Sequence, residues 1–428
     1  MEDLGIDRKF LSATQTRELS TVVGSYTYFA DGDVLLAKIT PCFQNGKLGI
    51  ASALCNGIGF GSSEFIVFRP NGNVDKEYLY YYLSRESFRR EGVKRMGGAV
   101  GQQRVPKEFI GSYPIPLPPL AEQRRIVGIL DEAFAGLTTA KANAEKNLQN
   151  ARALFESHLN GVFTQRGEGT TVSENAESDV PTRATAKQQN KITGAKKASR
   201  RTTQTGGRDA TTRHIPPKLA LAVGMPKTPA SKNWRWSALT ELARMESGHT
   251  PSRRHPEYWD GTVPWIGIKD ARANHGRRIE DTEQATNKLG LANSSARLLP
   301  QNTVCLSRTA SVGYVVIMGR PMATSQDFVN WVCSDRLLPD FLKYLFLAEG
   351  REGLLRYSSG AVHQTIYYPE AKAFHLAHPD TDEQERIVGQ CDGLREETER
   401  LESTYQRKLA ALGELKKSLL HQAFSGEL

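Results

Sequence analysis

Residue patterns that would support catalysis are missing from the sequence. There is no Gly-x-x-x-x-Gly-Lys-Ser/Thr loop, so ATP hydrolysis of the P-loop type is not expected. The stretch "GIGFG" at Gly57–Gly61 does not match Gly-x-Gly-x-x-Gly and predicts only a glycine-rich loop. No Asn/Asp-Pro-Pro-Tyr/Phe occurs, the tetrapeptide that an adenine methyltransferase would use to hold a flipped base. His375 and His378 stand beside a proline and form no convincing metal pair. We therefore predict no catalytic, cofactor-binding or metal-binding residue on this chain.

A second class of chemistry, recognition of nucleic acid, has more candidates. Base edges are read by Arg, Lys, Asn and Gln, and phosphates are held by Lys, Arg, Ser and Thr. Any one such residue is more often a solvated loop side chain, but these lie on predicted loops at matching places of two repeated segments. The DNA-binding candidates of the first segment are Lys38, Thr40, Gln44, Asn45, Lys47, Ser62, Ser63, Gln102, Gln103 and Arg104. Those of the second are Arg253, Arg254, Lys269, Arg308, Thr309, Ser311, Ser325, Gln326 and Gln364.

Some of these candidates have an equally good structural explanation. Gln102 and Gln364 form the best-matched pair, yet an amide that caps a turn would account for them as well. Phe43 and Tyr357 could pack on sugars or thymine methyl groups, but hydrophobic packing within the protein is the more frequent role of such residues.

The candidates are positioned by an internal repeat of the sequence. "PLAEQRRIVGILD" at 119–131 matches "DTDEQERIVGQCD" at 380–392, with an offset of 261 residues. Upstream, "GAVGQ" at 98–102 matches "GAVHQ" at 360–364 with an offset of 262, and "GDVLLAKIT" matches "NTVCLSRTA". Such self-similarity indicates two copies of one structural unit.

Each copy begins with short strands. The stretches "DVLLAKI", "EFIVF", "TVCLS", "GYVVIM" and "DFVNWVC" are apolar or alternating and are bounded by Gly, Pro, Asn and Asp, which predicts strands. A short amphipathic helix follows in each copy, over 78–95 and 341–355, and the Gly-Ala-Val-x-Gln turn comes next.

Each copy ends in a long helix with an apolar stripe. The first stripe comprises Ile126, Ile129, Leu130, Ala133, Leu137, Ala140, Ala144, Leu148, Ala151, Phe155 and Leu159. The second comprises Ile387, Leu394, Leu401, Leu409, Leu412, Leu415 and Leu419. About 40 residues at roughly 1.5 Å each give a helix on the order of 60 Å, too long to hide its stripe in a small domain. The two helices are therefore expected to pack on each other. We predict an α+β fold: two β-rich domains with small helices, joined by two long antiparallel coiled-coil helices and related by a pseudo-twofold internal repeat.

The basic charge is concentrated between the two copies. The chain has a net charge of +9, and residues 166–232 contain 13 Lys and Arg against 5 Asp and Glu. This segment has no apolar period, which predicts a disordered basic linker, either a plain tether or a non-specific phosphate binder. The resulting domains are 1–117 (β-rich), 118–165 (long helix), 166–232 (linker), 233–378 (β-rich) and 379–428 (long helix).

The hydropathy, the first residues and the cysteines of the sequence indicate where the protein acts in the cell. No apolar run of about 18 residues is present, so a membrane partner is not expected. The first residues, "MEDLGIDRKF", do not resemble a signal peptide. Five scattered cysteines without metal spacing predict reduced, buried thiols in a cytoplasmic protein.

The sequence resembles a known family at these motifs. "PLPPLAEQRRIVGILD" and the C-terminal "LGELKKSLLHQAFSGEL" are similar to the two conserved regions of specificity subunits of type I restriction-modification enzymes. "YFADGDVLLAKITPCFQNGKLGIA", "GIGFGSSEFIVFRP" and "ELARMESGHTPSRRHPEYWDGTVPWIGIKD" resemble parts of their target recognition domains. The resemblance covers everything except the linker.

The resemblance implies a function without chemistry of its own. Each β-rich domain would be a target recognition domain that reads one half of a bipartite sequence in double-stranded DNA. The paired helices would set the spacing and dock two methyltransferase subunits, and restriction subunits would join the assembly. S-adenosylmethionine, ATP and Mg would bind to those partners, and no cofactor would bind to this chain. The alternative is a non-DNA coiled-coil scaffold with two β-rich domains.

The first copy departs from the family pattern. Residues 1–5 align with Trp265–Lys269, so about 30 residues that precede Trp265 have no counterpart in the first copy. The sequence therefore predicts a first recognition domain without its opening strands, and this puts its stability and its reading of DNA in doubt.

Overall fold

The computed structural model describes residues 1–99, 101–164, 214–360 and 363–428. They form two compact units. Unit 1 comprises Met1–Asn150 and Arg400–Leu428, and unit 2 comprises Ala151–Glu399. No described helix has a stretch long and apolar enough to cross a membrane.

Unit 1 contains two small antiparallel sheets and the start of a long helix. Its strands are β1 (Thr27–Ala30), β2 (Val34–Ala37), β3 (Leu48–Ile50), β4 (Ile58–Gly61) and β5 (Phe65–Phe68). Its helices are α1 (Lys76–Ser84), α2 (Glu86–Lys94), α3 (Lys107–Gly111) and the first part of α4 (Leu120–Phe163). The sheet order is β3-β2-β5 in one sheet and β1-β4 in the other.

Unit 2 contains more strands in three sheets. The strands are β6 (Leu221–Val223), β7 (Arg235–Ala238), β8 (Ala243–Ser247), β9 (Val263–Ile266), β10 (Arg278–Ile279), β11 (Ala285–Thr286), β12 (Val304–Ser307), β13 (Val315–Met318), β14 (Ala323–Thr324), β15 (Phe328–Cys333) and β16 (Phe374–His378). The helices are α5 (Leu239–Leu242), α6 (Ile268–Ala273), α7 (Lys288–Ala292), α8 (Pro339–Leu355), α9 (Tyr368–Lys372) and α10 (Thr381–Ser425). The sheets run β10-β13-β12-β15-β8, β11-β9-β14 and β6-β16-β7.

The predicted strands are all present, and they repeat with the same pairing. β2 lies between β3 and β5, and β12 lies between β13 and β15, antiparallel in each case. The predicted helix over 78–95 is instead two helices, because Arg85 has extended backbone (ψ 139°) between α1 and α2. The helix predicted over 341–355 is α8, which is interrupted at Gly350 by a backbone φ of 62°. These differences leave the repeat intact.

The repeated Glu-Gln-x-Arg motif clamps the start of each long helix to a loop. The Gln123 side chain is fully buried; its Oε1 accepts from the Asp75 amide at 2.8 Å. Its Nε2 donates to the carbonyls of Asn73 (3.0 Å) and Pro118 (2.8 Å). All three hydrogen bonds of this side-chain amide are thus made inside unit 1.

Unit 2 repeats this clamp with the same atoms. The buried Gln384 accepts from the Leu338 amide at 2.9 Å and donates to the carbonyls of Arg336 and Pro379, both at 3.1 Å. The neighbouring acid and arginine of the motif lie on the surface, where Glu383 and Arg386 form an ion pair. The motif is therefore a structural joint, built from a buried amide whose three hydrogen bonds are all satisfied.

The long helices pair antiparallel within each unit. In unit 1, Ile126 and Leu130 near the start of α4 share a hydrophobic core with Leu420 and Ala423 near the end of α10. In unit 2 the order is reversed: Leu159 and Phe163 at the end of α4 share a core with Ile387 and Cys391 near the start of α10. The predicted antiparallel arrangement is confirmed.

One member of the predicted stripes is wrong. Leu415 is 47% exposed, whereas Leu420, which the pattern omitted, is 6% exposed. At 416 the amine of Lys416 forms an ion pair with Asp7 at 2.8 Å. A repeat of 3.6 residues drifts along a long helix, so a stripe extrapolated by spacing alone can include an exposed position such as Leu415.

The predicted linker is too long at its C-terminal end. Residues 214–232 belong to unit 2, and within them β6 is fully buried and pairs with β16. The apolar run "LALAV" at 219–223 did not predict a strand, because it is short and lies between charged residues and prolines. Residues 166–213 lie outside the described part of the chain. The two long helices, α4 and α10, begin and end within two or three residues of their predicted limits.

The thiols differ from expectation at one position. Cys305 and Cys391 are buried, and Cys42 and Cys333 are partly buried, all as free thiols. Cys55 is exposed because it begins a 3-10 turn, Cys55–Gly57, on the surface of unit 1.

Candidate nucleic-acid interface

Three loops of unit 1 meet where most of its candidates lie. The Lys38 amide, just after β2, donates to the Glu64 carbonyl at 2.9 Å. The Lys38 carbonyl in turn accepts from the Val105 amide at 2.9 Å, and Thr40 donates its amide to Gln103 at 2.9 Å. The backbone therefore joins the loops around 38–40, 62–64 and 101–105 into one surface.

Unit 2 has the same framework. The Arg308 amide, just after β12, donates to the Asp327 carbonyl at 2.7 Å, and the Arg308 carbonyl accepts from the Ile366 amide at 2.8 Å. Arg308 thus occupies in unit 2 the position that Lys38 occupies in unit 1. A cationic side chain stands at the centre of the three joined loops in both units.

The third loop of each framework is a tight turn that requires glycine. Gly98 has a φ of 120° and Gly360 a φ of 122°, a region that other residues rarely adopt. A Cβ at Gly360 would lie 2.3 Å from the His363 carbonyl oxygen. The shared turn places the segment that follows it, which carries Gln102 in unit 1 and Gln364 in unit 2, beside the cationic position.

Electrostatics at the unit 1 surface centre on one carboxylate. Arg104 forms a two-pronged ion pair with Glu64, with contacts of 2.7 and 3.0 Å. The guanidinium beside it holds the pKa of the Glu64 carboxyl below its usual value. The Lys38 amine donates to the Ser63 carbonyl at 3.0 Å and lies 4.0 Å from Glu64. An arginine held in this way presents its remaining donors in a fixed direction.

The other unit 1 candidates differ in whether their side chains are exposed and free to contact a ligand. Gln44, Asn45 and Ser63 are exposed, and so is Gln102. Four others already have hydrogen-bond partners or are half-buried. The Lys47 amine donates to the Met1 carbonyl, the Thr40 hydroxyl donates to the Gly101 carbonyl, the Ser62 hydroxyl accepts from the Glu64 amide, and Gln103 is half-buried.

In unit 2 the central cation is supported by an aromatic ring. The guanidinium carbon of Arg308 lies 4.2 Å from the centre of the Tyr368 ring, a cation–π contact. Thr309 and Thr365 share a hydroxyl hydrogen bond of 2.8 Å across the loops. Ser311 is half-buried, and its carbonyl accepts from the hydroxyl of Ser307 at 2.6 Å.

Other unit 2 candidates lie on separate loops. Arg253 stacks over Trp259, at 3.7 Å from the ring centre, and donates to Gln284 at 2.7 Å. Arg254 is exposed, and Lys269 is largely exposed and lies 3.4 Å from Glu283. Gln326 is exposed and accepts from the Thr250 hydroxyl.

Two candidates are corrected by their surroundings. Ser325 is 1% exposed and its hydroxyl donates to Asp327, so it cannot reach a ligand. Gln364 uses both ends of its amide within its own turn: Nε2 donates to the Gly360 carbonyl at 3.0 Å, and Oε1 accepts from the Ser358 hydroxyl at 2.6 Å. The turn-capping explanation holds for Gln364, although its outer side remains exposed.

The aromatic and histidine candidates belong to the protein interior. Phe43 and Tyr357 are fully buried in the two hydrophobic cores. His378 is also fully buried, and its ring nitrogens lie near the Ser237 hydroxyl (3.0 Å) and the Pro379 carbonyl (2.8 Å). Among the described residues no group of His, Cys, Asp or Glu could hold a metal ion.

Sequence reasoning missed the residues that organise the surface. Glu64, Asp327 and Tyr368 were not among the candidates, because bases and phosphates are recognised mainly by side chains that donate hydrogen bonds. A signal existed, since Glu64 and Asp327 occupy matching places in "SSEF" and "SQDF". A carboxylate between two basic candidates indicates how they are oriented.

Comparison with known proteins agrees with this arrangement. Residues 9–148 and 231–409 match the family model described as type I restriction modification DNA specificity domain. The chain is 43% identical over 162 residues to the type I restriction enzyme EcoEI specificity subunit of Escherichia coli, and 36% identical over 162 residues to the EcoAI specificity subunit. Each alignment covers 38% of this chain and 27% of the relative. The HindI specificity subunit of Haemophilus influenzae is 25% identical over 334 residues, covering 74% of this chain and 70% of the relative.

Solved structures show the same fold. The HsdS subunit from Thermoanaerobacter tengcongensis aligns with a TM-score of 0.58 at 17% identity, covering 100% of this chain and 89% of that one. A chain from a study of complex assembly and conformational transition of the type I R-M system aligns with a TM-score of 0.67 at 18% identity, covering 95% and 85%. Because the family model covers most of the chain in two copies, as the repeat requires, this chain belongs to the family of type I restriction-modification DNA specificity subunits.

Proposed function

We propose that this chain reads a bipartite target in double-stranded DNA for a type I restriction-modification complex. The observation that carries the proposal is the repeated three-loop framework, with Lys38 in unit 1 and Arg308 in unit 2 at equivalent positions. Lysine and arginine bind phosphates and guanine edges. Two equivalent surfaces in one chain suit a ligand with two half-sites.

The chain would act in the cytoplasm as reader and scaffold and leave the chemistry to others. Two methyltransferase subunits would dock on the long helices and bind S-adenosylmethionine, and restriction subunits would use ATP and Mg. Support comes from the family membership and from the absence of catalytic motifs in the sequence. The alternative, a coiled-coil scaffold that does not bind DNA, predicts no salt-sensitive binding to duplex in the presence of the methyltransferase.

Replacing Arg308 by alanine is expected to weaken the complex on its target by about 1–3 kcal/mol, because a cation at the interface is lost. Methylation sequencing of host DNA should show the half-site read by unit 2 relaxed and the other half unchanged. Lys38→Ala should affect the opposite half.

The control for these changes is Arg320→Ala, which removes an exposed arginine of unit 2 that pairs with Asp281. It should leave the methylated motif unchanged. If Arg308→Ala and Lys38→Ala altered the same half-site, or neither, the assignment of one half-site to each framework would fail.

Breaking α10 is expected to abolish assembly. Leu401 is a half-buried member of the apolar stripe, and proline in a helix interior costs about 3 kcal/mol or more. Leu401→Pro should therefore lose co-purification with a methyltransferase subunit, while Leu401→Met should keep it. Normal co-purification of the proline variant would count against docking on the helices.

A further inference from the structure

A fourth loop of unit 2, at residues 248–255, lies directly on the three-loop framework. The His249 amide donates to the Thr324 carbonyl at 2.9 Å, and a Cβ on Gly248 would lie 1.9 Å from the Ser325 carbonyl oxygen. Thr324 and Ser325 lead into the framework loop that bonds to the central arginine. The fourth loop therefore extends the surface that the framework forms.

The side chain of Arg253 on this loop is held by two tryptophans and an amide. Its guanidinium carbon lies 3.7 Å from the centre of the Trp259 ring and 5.0 Å from that of Trp265. Its Nη2 donates to Oε1 of Gln284 at 2.7 Å. The guanidinium therefore has a fixed position, although Arg253 is exposed to solvent.

The two tryptophans also anchor the backbone of the loop. The two rings pack edge to face, with 5.1 Å between their centres. The indole N–H of Trp265 donates to the His249 carbonyl at 3.1 Å, and that of Trp259 donates to the Ser252 carbonyl at 3.4 Å. Because Trp265 is buried and belongs to β9, the position of the arginine is set by a strand of the fold.

The positive charge of this loop has no acidic partner inside the protein. Arg278, Arg297 and Arg320 of the same unit each form an ion pair with a carboxylate. Arg253 and Arg254 are both exposed, and neither pairs with a carboxylate among the described residues. Two adjacent arginines in this state suit an anionic ligand from outside the protein.

A phosphate suits the loop better than the edge of a base. A bidentate contact to guanine needs two parallel N–H groups of the arginine aimed at the base. In Arg253 the Nη2 already donates to Gln284, and the Trp259 ring covers one face of the guanidinium. A phosphate accepts hydrogen bonds from several directions, and the exposed Ser252 and Arg254 stand beside Arg253 to supply more of them.

We propose that the loop at 252–254 binds one phosphate of the DNA backbone, with Arg253 as its main ligand and Gln284 as a positioning residue. The inference rests on the proposed function, since it takes the ligand to be the duplex that the framework reads. The contact would fix the register of unit 2 on its half-site and add affinity without adding sequence information.

The test measures binding of the chain, in complex with its methyltransferase, to a fluorescent duplex that carries the methylated motif, over a series of salt concentrations. Arg253→Ala should reduce the slope of log K against log salt by about one and weaken binding about fivefold at physiological salt, because one phosphate contact is lost. Cognate and random duplexes should lose affinity by the same factor, and the methylated motif should stay unchanged. Arg253→Lys should recover most of the affinity, since a phosphate mainly requires the charge.

Duplexes with a single methylphosphonate, an uncharged replacement for one phosphate, locate the contact. One position in the half-site of unit 2 should weaken binding by the wild type and have no further effect on Arg253→Ala. Gln284→Ala should likewise weaken binding only while Arg253 is present, whereas a merely structural loss would weaken both backgrounds. The matched control is Arg320→Ala, whose guanidinium is held by Asp281 and by the Glu280 carbonyl; it should leave the slope unchanged.

Three outcomes would overturn the inference. The first is an unchanged salt slope for Arg253→Ala while Arg308→Ala still relaxes its half-site, which would leave the proposed function intact. The second is one relaxed base pair in the methylated motif with both Arg253→Ala and Arg253→Lys, which would make Arg253 a reader of a base. The third is the absence of salt-sensitive binding by the wild-type complex to any duplex, which would refute the proposed function as well.

Discussion

Replacing Gln384 by leucine is expected to destabilise unit 2 by about 3–5 kcal/mol. The substitution removes three hydrogen bonds from a fully buried amide and leaves the Leu338 amide and the Arg336 carbonyl without partners, while the Pro379 carbonyl keeps its contact with the His378 ring. A buried polar group without a partner costs about 1–3 kcal/mol, and leucine fills the volume without restoring any bond. Urea unfolding of the full chain should show a lower midpoint for the transition of unit 2.

Unit 1 offers the matched experiment at Gln123, because this side chain also accepts from one backbone amide and donates to two backbone carbonyls. Gln123→Leu should lower the stability of unit 1 by a similar amount. The control is Arg386→Ala, which removes only a surface ion pair of the same motif and should change the stability far less than Gln123→Leu, because water screens an exposed ion pair. An effect of Gln384→Leu no larger than that of the control would show that the clamp is not a stabilising joint.

Raising the pH is expected to destabilise unit 2 through Glu349. This carboxyl is 3% exposed, and neither of its side-chain oxygens has a hydrogen bond of normal geometry among the described residues, although the Leu219 backbone lies close enough to lower its pKa. Burial raises the pKa of Glu349 from 4.5 to about 7, although Arg356 and Lys218 oppose the shift. The folded state therefore favours the protonated acid, and the stability it contributes is complete below about pH 4.5 and is lost as the pH rises through 7.

Glu349→Gln should remove this dependence, since the amide stays neutral at every pH. The pKa change corresponds to about 3 kcal/mol, so the variant should be more stable than the wild type at pH 8 by up to about that amount and similar at pH 5. Thermal unfolding at both pH values measures the difference. Glu352→Gln, at an exposed position three residues on, should behave like the wild type. Parallel pH profiles for wild type and Glu349→Gln would contradict the assignment.

Local patterns were enough to predict the repeated elements. The apolar runs that became β2, β5, β12, β13 and β15 were recognisable because strand formation depends on short alternating or buried stretches. The spacing of 261 residues between the two Glu-Gln motifs located both long helices to within a few residues. The stripes predicted that these helices pair, since a helix of that length cannot bury an apolar face within itself.

Local patterns did not predict which side chains are available at the surface. Ser325 and His378 resemble exposed polar residues in sequence, yet both are buried, Ser325 beside Asp327 in the same loop and His378 beside Ser237, which lies 141 residues away along the chain. Residues 221–223 resemble part of a charged linker in sequence, yet they form β6, the buried strand that pairs with the central strand β16. Burial depends on contacts between distant segments, which no window of sequence contains.

The sequence by itself determined the duplication, the secondary structure of each copy and the family, because these depend on residue order over short distances. Only the tertiary structure decided that the loops around Lys38 in unit 1 and those around Arg308 in unit 2 are each joined by the same pattern of hydrogen bonds. It also decided that a buried glutamine in each motif holds a loop against the start of the long helix. Such features arise when backbone donors and acceptors far apart in the chain meet, and their pairing is settled by packing in three dimensions.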